Sequence, residues 1–107
     1  MKKTLRFYIL TSASGRYLDW FNRTGKTDTS FKGLKCHFDP RWSNISYKDA
    51  VVVVNTLSKD YEKEVSLWCL SKGIECHITE SNGNPGKGKN ELLKIFQKSD
   101  DDYMVQI

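Results

Sequence analysis

The sequence contains no run approaching the roughly 18 apolar residues that cross a bilayer, and no internal repeat, low-complexity tract or block of like charge. A membrane-spanning helix, a repeat array and a charged tail are therefore not expected. Met1-Lys2-Lys3 precedes Phe7-Tyr8-Ile9-Leu10, but Arg6 interrupts that apolar stretch and leaves it too short for the core of a secretory signal. A soluble, cytoplasmic chain with no membrane contact is the expectation. Cysteine is scarce as well: Cys36, Cys69 and Cys76 are odd in number and lack framework spacing, which favours free thiols in a reducing compartment over a disulfide scaffold. Seventeen Lys+Arg against 13 Asp+Glu leave a net charge of +4. So small an excess, dispersed along the chain, attracts anionic partners only weakly. With 107 residues, 38% of them apolar, a single domain spanning 1–107 is predicted, with no room for a second, substrate-binding one.

What is present alternates between two periodicities. Leu5 to Leu10 reads as a buried strand closed by Thr11-Ser12-Ala13-Ser14-Gly15, and Arg16 to Arg23 as a short helix stopped at Thr24-Gly25. Residues 25–48 are the irregular insertion, within which Leu34, Cys36 and Phe38 alternate like a half-buried strand. Val51-Val52-Val53-Val54 has no polar alternation and predicts a strand covered on both faces near the centre of a parallel sheet. Ser58 is a helix cap, followed by Tyr61, Val65, Trp68 and Cys69 on one face and by Gly73 as the stop. Ile74, Cys76 and Ile78 alternate as a strand, 80–89 reads as a loop, Asn90 as the cap of a helix holding Leu92, Leu93 and Phe96, and 103–107 as a last strand. The order predicts an α/β domain with a mostly parallel sheet of about four strands and flanking helices.

In such a sheet ligands sit beyond the carboxyl ends of the strands. Three post-strand segments carry suitable groups: Thr11 to Arg16, Asn55 to Ser58, and Glu80 to Asn90. Hydroxyls, an amide, Lys87, Lys89 and a helix start together suit a nucleotide's phosphates, although turns and caps use the same residue types.

Four blocks in these positions resemble the inverting nucleotide-sugar glycosyltransferases of family 2, with the A-type fold. Ile9-Leu10-Thr11-Ser12 with Arg16 and Leu18 is similar to that family's opening strand and turn. Val53 to Asp60 is similar to hydrophobic residues followed by D-N-G-S-x-D, with Asn55 at the first Asp. Asn82 to Asn90 is similar to N-x-G-x-x-x-A-R-N, with Gly88 at the Ala and Lys89 at the Arg, and Asp102 to Ile107 to the G-D-Y strand that leads into D-x-D. The resemblance covers most of the chain outside 25–48. It implies a Rossmann-like nucleotide-binding half that holds a UDP- or GDP-linked sugar, with Thr11, Ser12, Arg16, Asn55, Ser58, Lys89 and Asn90 at the nucleotide. The D-x-D carboxylates that hold Mg²⁺ or Mn²⁺ would follow Ile107, so binding rather than catalysis is implied for these residues.

Rival readings share the same segments. Gly83 to Asn90 fits the phosphate-binding-loop pattern G-x-x-x-x-G-K-[ST] except for Asn90 at the hydroxyl position. Cys36-His37 and Cys76-His77 invite a zinc site with Cys69, but neighbours in a strand point to opposite faces. A non-enzymatic module is the alternative of a different class, with a protein partner paired along an edge strand. In its nucleic-acid version, Lys2, Lys3, Lys87, Lys89, Lys94 and Lys98 with Trp20, Trp42 and Tyr103 supply charge and stacking.

Overall fold

Four strands, β1 (Leu5–Thr11), β2 (Ala50–Val54), β3 (Glu75–Ile78) and β4 (Tyr103–Gln106), pair in the order β3-β2-β1-β4, every pair parallel. Helices α1 (Trp20–Thr24), α2 (Ser30–Cys36), α3 (Lys59–Lys72) and α4 (Pro85–Lys98) lie in the connections. This computed structural model describes residues 4–107. Met1, Lys2 and Lys3, and with them the leader question and two lysines of the basic set, lie outside the described residues. The fold is the expected α/β, Rossmann-like one, with a sheet parallel throughout.

The four valines of β2 explain the layering. Val52 and Val54 join Ile9, Leu34, Phe38, Tyr61, Val65 and Cys69 in one core, while Val51 and Val53 join Tyr8 and Leu92 in the other. Every residue of β2 is buried, and covering a valine on either face stabilises by roughly 1.5–3 kcal/mol. From β1 the chain steps to β2 and then β3 in one direction, which carries α2 and α3 to one face. It then returns to the far side of β1 for β4, and α4 covers the opposite face. The strand order therefore reverses between β1 and β4.

Local chemistry sets the helix ends. Ser58 Oγ accepts from the Tyr61 N–H at 3.1 Å, and Gly73 closes α3 in the left-handed region at φ +71°. The expected face of α3 is buried at Tyr61, Val65 and Cys69. Two expectations are corrected. Leu34, Cys36 and Phe38 are not strand residues: 30–36 is helical, because Phe31, Leu34 and Phe38 recur at helical spacing and pack into the core while Cys36 is exposed. In a short stretch, Leu34 and Phe38 suit either period. Nor does Asn90 cap α4. Asn84 Oδ1 accepts from the Lys87 N–H at 3.0 Å and Pro85 takes the first helical position, so the helix begins inside what reads as a loop. Among the described residues, no helix is long and apolar enough to cross a membrane.

Candidate functional site

The carboxyl ends of β1, β2 and β3 are laced together by uncharged groups. The Asn55 N–H donates to the Thr11 carbonyl at 2.9 Å, extending the β1–β2 ladder by one step. Thr56 Oγ1 donates to the Ala13 carbonyl at 2.5 Å, and Gly15 lies against Leu57, where a Cβ would meet its side chain at 3.2 Å. Toward β3, Asn55 Oδ1 accepts from the Gly83 N–H at 2.8 Å and from Thr79 Oγ1 at 3.2 Å, while Nδ2 donates to the Asn84 carbonyl at 3.0 Å. Asn55 is 2% exposed; one amide thus fixes the whole β3 loop and the residue that caps α4. Gly88, on the buried face of α4, completes the joint, since a Cβ there would overlap the Asn55 side-chain amide.

The seven residues singled out by sequence all follow strand ends on this side, but they divide by what they do. Thr11, Asn55 and Ser58 are buried and bonded within the chain: Thr11 Oγ1 shares a 2.6 Å hydrogen bond with Tyr61 Oη, Asn55 holds the β3 loop, and Ser58 caps α3. Ser12, Arg16, Lys89 and Asn90 are exposed. Ser12 lines a cavity of about 320 Å³ beside the β1 tip, with Ser14, Trp20, Thr27, Asp28 and Ser30. Asn90 lines another of about 230 Å³ on the α4 side, with Glu80, Ser81, Lys87, Glu91 and Lys94, where Ser81 Oγ is buried without a hydrogen-bond partner. Lys89 borders neither cavity.

Sequence reasoning missed Thr56 and Thr79, although their positions directly after strands were available as a signal. It missed the wall formed by Thr27 to Ser30 because 25–48 offered no placement. The phosphate-binding-loop reading meets a helix: from Pro85 onward, the backbone that would have to wrap a phosphate is closed into α4. Cys76 packs into the α3-side core while His77 lines the cavity on the α4 side, the opposite orientation expected of strand neighbours. Among the described residues, no three His, Cys, Asp or Glu side chains form a group able to hold a metal ion.

The amino end of the sheet is built differently. There a cavity of about 480 Å³ is lined by Arg6, Glu75, His77, Lys98 and Asp101 among others. Arg6 donates through Nε to Asp101 at 2.7 Å and through Nη1 to Glu75 at 2.8 Å; Tyr8 Oη donates to Asp101 at 2.8 Å, and His77 Nε2 lies 2.7 Å from Glu75. Burial opposes the charge on Glu75, but hydrogen bonds from His77 and Arg6 outweigh it and hold the carboxyl below its ordinary range. Burial likewise opposes the Asp101 charge and is outweighed by Arg6 and Tyr8, so Asp101 is held low as well. Arg6 is pushed up, its burial overcome by the same two carboxylates. The network joins β1, β3 and the turn before β4, all within the fold's own frame.

Comparison of the chain with family models, with curated proteins and with solved structures found no match in any of the three.

Proposed function

We propose that this chain is the donor-nucleotide half of a glycosyltransferase-like domain of the A-type fold, binding the nucleotide of a UDP- or GDP-linked sugar at the carboxyl end of the sheet. The observation that carries this reading is that the β1, β2 and β3 tips are bonded to one another at the carboxyl end of a parallel sheet, the end at which ligands of such sheets bind. The four blocks of the resemblance support it further. They fall on β1 and its tip, on β2 with the α3 cap, on the β3 loop with the start of α4, and on β4.

In this reading Ser12, on the wall of the β1 cavity, and the exposed Arg16 contact the base, and Lys89, with Asn90 beside it, supplies charge toward the diphosphate from the first turns of α4. Thr11, Asn55 and Ser58 position rather than touch: their side-chain bonds shape the floor beneath the nucleotide. Lys89 gives a point charge without the bidentate fork of an arginine. No chemical step is assigned to these residues, and a cytoplasmic location accords with the reading.

Calorimetry with UDP- and GDP-sugars, with and without Mn²⁺, tests it. Heat of binding with one donor class, weakened by Lys89→Ala and by Arg16→Ala, is expected. No heat with any donor overturns the reading.

A second reading has its own observation. Strand β4 is an edge, with Tyr103, Val105 and Ile107 exposed at 51%, 40% and 42%, so a protein partner can add a strand there. Concentration-dependent sedimentation that a charge at Val105 abolishes would favour it. The nucleic-acid version of that module ranks behind, since its described lysines run along α4 while its aromatic residues sit on α1, in the 39–42 turn and on β4.

A further inference from the structure

Two of the three thiols meet where α3 packs on β3. Cys69 is fully buried in the last turn of α3, and Cys76 is half-buried in β3, packed against the same core. Between them the chain reverses at Gly73, where the Ile74 N–H donates to the Cys69 carbonyl at 2.9 Å and holds the two arms together. The Cys76 side chain packs against the core cluster that contains Cys69, and Ser66 lies one turn before Cys69 in α3. The third thiol, Cys36, is exposed at the end of α2.

We propose that Cys76 and Cys69 form a two-thiol oxidation site, with Cys76 the attacking sulfur, Cys69 the resolving one, and a hydroperoxide the oxidant. The arrangement divides the labour: Cys76 is half-buried in β3, whereas Cys69 is sealed in the core beside it. The neighbourhood of Cys69 foremost, and of Ser66, favours a Cys76 thiol below the ordinary range against its burial, while Cys76 and burial keep Cys69 above it. In the first step the Cys76 thiolate attacks one peroxide oxygen, the O–O bond breaks, and the alkoxide leaves with a proton as an alcohol. Cys76 is now a sulfenic acid. In the second, the Cys69 sulfur attacks the Cys76 sulfur, the S–O bond breaks, and hydroxide departs with the Cys69 proton as water. Two thiols and one hydroperoxide thus become one disulfide, one alcohol and one water. The bond ties the end of α3 to β3, the strand that leads directly into the loop clasped by Asn55.

The test uses the whole chain and one equivalent of hydrogen peroxide. Cleavage after Lys72 separates the two cysteines, so an internal disulfide leaves their peptides joined until a reductant is added. The expected result is that joined pair, with Cys36 still open to alkylation. Cys69→Ser should stop the reaction at a sulfenic acid on Cys76 that dimedone traps, and Cys76→Ser should leave peroxide unconsumed. Where a variant does not fold, the peptide map of the unaltered chain decides alone. A bridge that includes Cys36, or Cys76 still fully alkylated after peroxide, overturns the proposal.

Discussion

The two ends of the sheet hold polar clusters of opposite chemistry. At the amino end, Asp101, Arg6, Glu75 and His77 make charged contacts of 2.7 to 2.8 Å that shift the carboxylates and the guanidinium from their ordinary values. At the carboxyl end, Thr11, Asn55, Thr56 and Thr79 do comparable work with groups that do not titrate. Perturbed carboxylates and a large cavity often mark a functional site, yet here they coincide where every charged partner belongs to the frame. The groups that lace the strand tips at the carboxyl end carry no charge. In this molecule the shifted Arg6, Glu75 and Asp101 report how β1, β3 and the turn before β4 are held together.

That contrast can be broken at either end. The largest effect is expected from Asn55→Ala, which strands the Gly83 N–H, the Thr79 hydroxyl and the Asn84 carbonyl in a buried joint. At about 1–3 kcal/mol for each unsatisfied group, with partial rescue by water, a loss of roughly 3 kcal/mol in denaturant unfolding is expected. Gly88→Ala comes next. Helix propensity alone would favour alanine by about 1 kcal/mol, but the added Cβ overlaps the Asn55 amide, so a net loss of about 1–3 kcal/mol is expected. A gain in stability would mean that α4 does not approach β2 this closely.

The amino end should respond to acid where Asn55 and its partners do not. Folded Glu75 and Asp101 titrate below their unfolded values of about 4. Their contribution is therefore fully present above that value and is lost as pH falls through the folded ones. Asp101→Asn should flatten the decline of stability on acidification, whereas Asn55→Ala should lower the whole curve without changing its shape. The smallest effect is expected from Lys59→Ala, which removes a 3.4 Å pair with Glu62 from an exposed lysine; about 0.2–0.5 kcal/mol is expected in the same unfolding measurement.

Most of the frame was legible in the residues, for identifiable reasons. Four consecutive valines admit little but a doubly covered strand, and Ser58 and Gly73 bracket α3 with distinct chemistry at each end. The stretch around Leu34 to Phe38 was not legible because a spacing of four fits a strand face and a helix face alike. The start of α4 was hidden by composition: glycines and a proline from Gly83 to Gly88 suggest a loop, yet proline is at home in a first helical turn, and Gly88 is present because Asn55 leaves no room for a side chain. The candidate site was legible in position but not in role. Strand ends marked Asn55 as a contact residue, and only the partners of its amide reveal a clasp.

The central claim, that the carboxyl end and not the amino-end cavity receives a nucleotide, is tested most directly by amide chemical-shift mapping with UDP- and GDP-sugars. The account predicts shifts concentrated at 12–16, 55–58 and 80–90, with residues 75–77 and 98–101 unmoved. Shifts centred on Arg6, Glu75, His77 and Asp101 instead, or none with either donor, would contradict it.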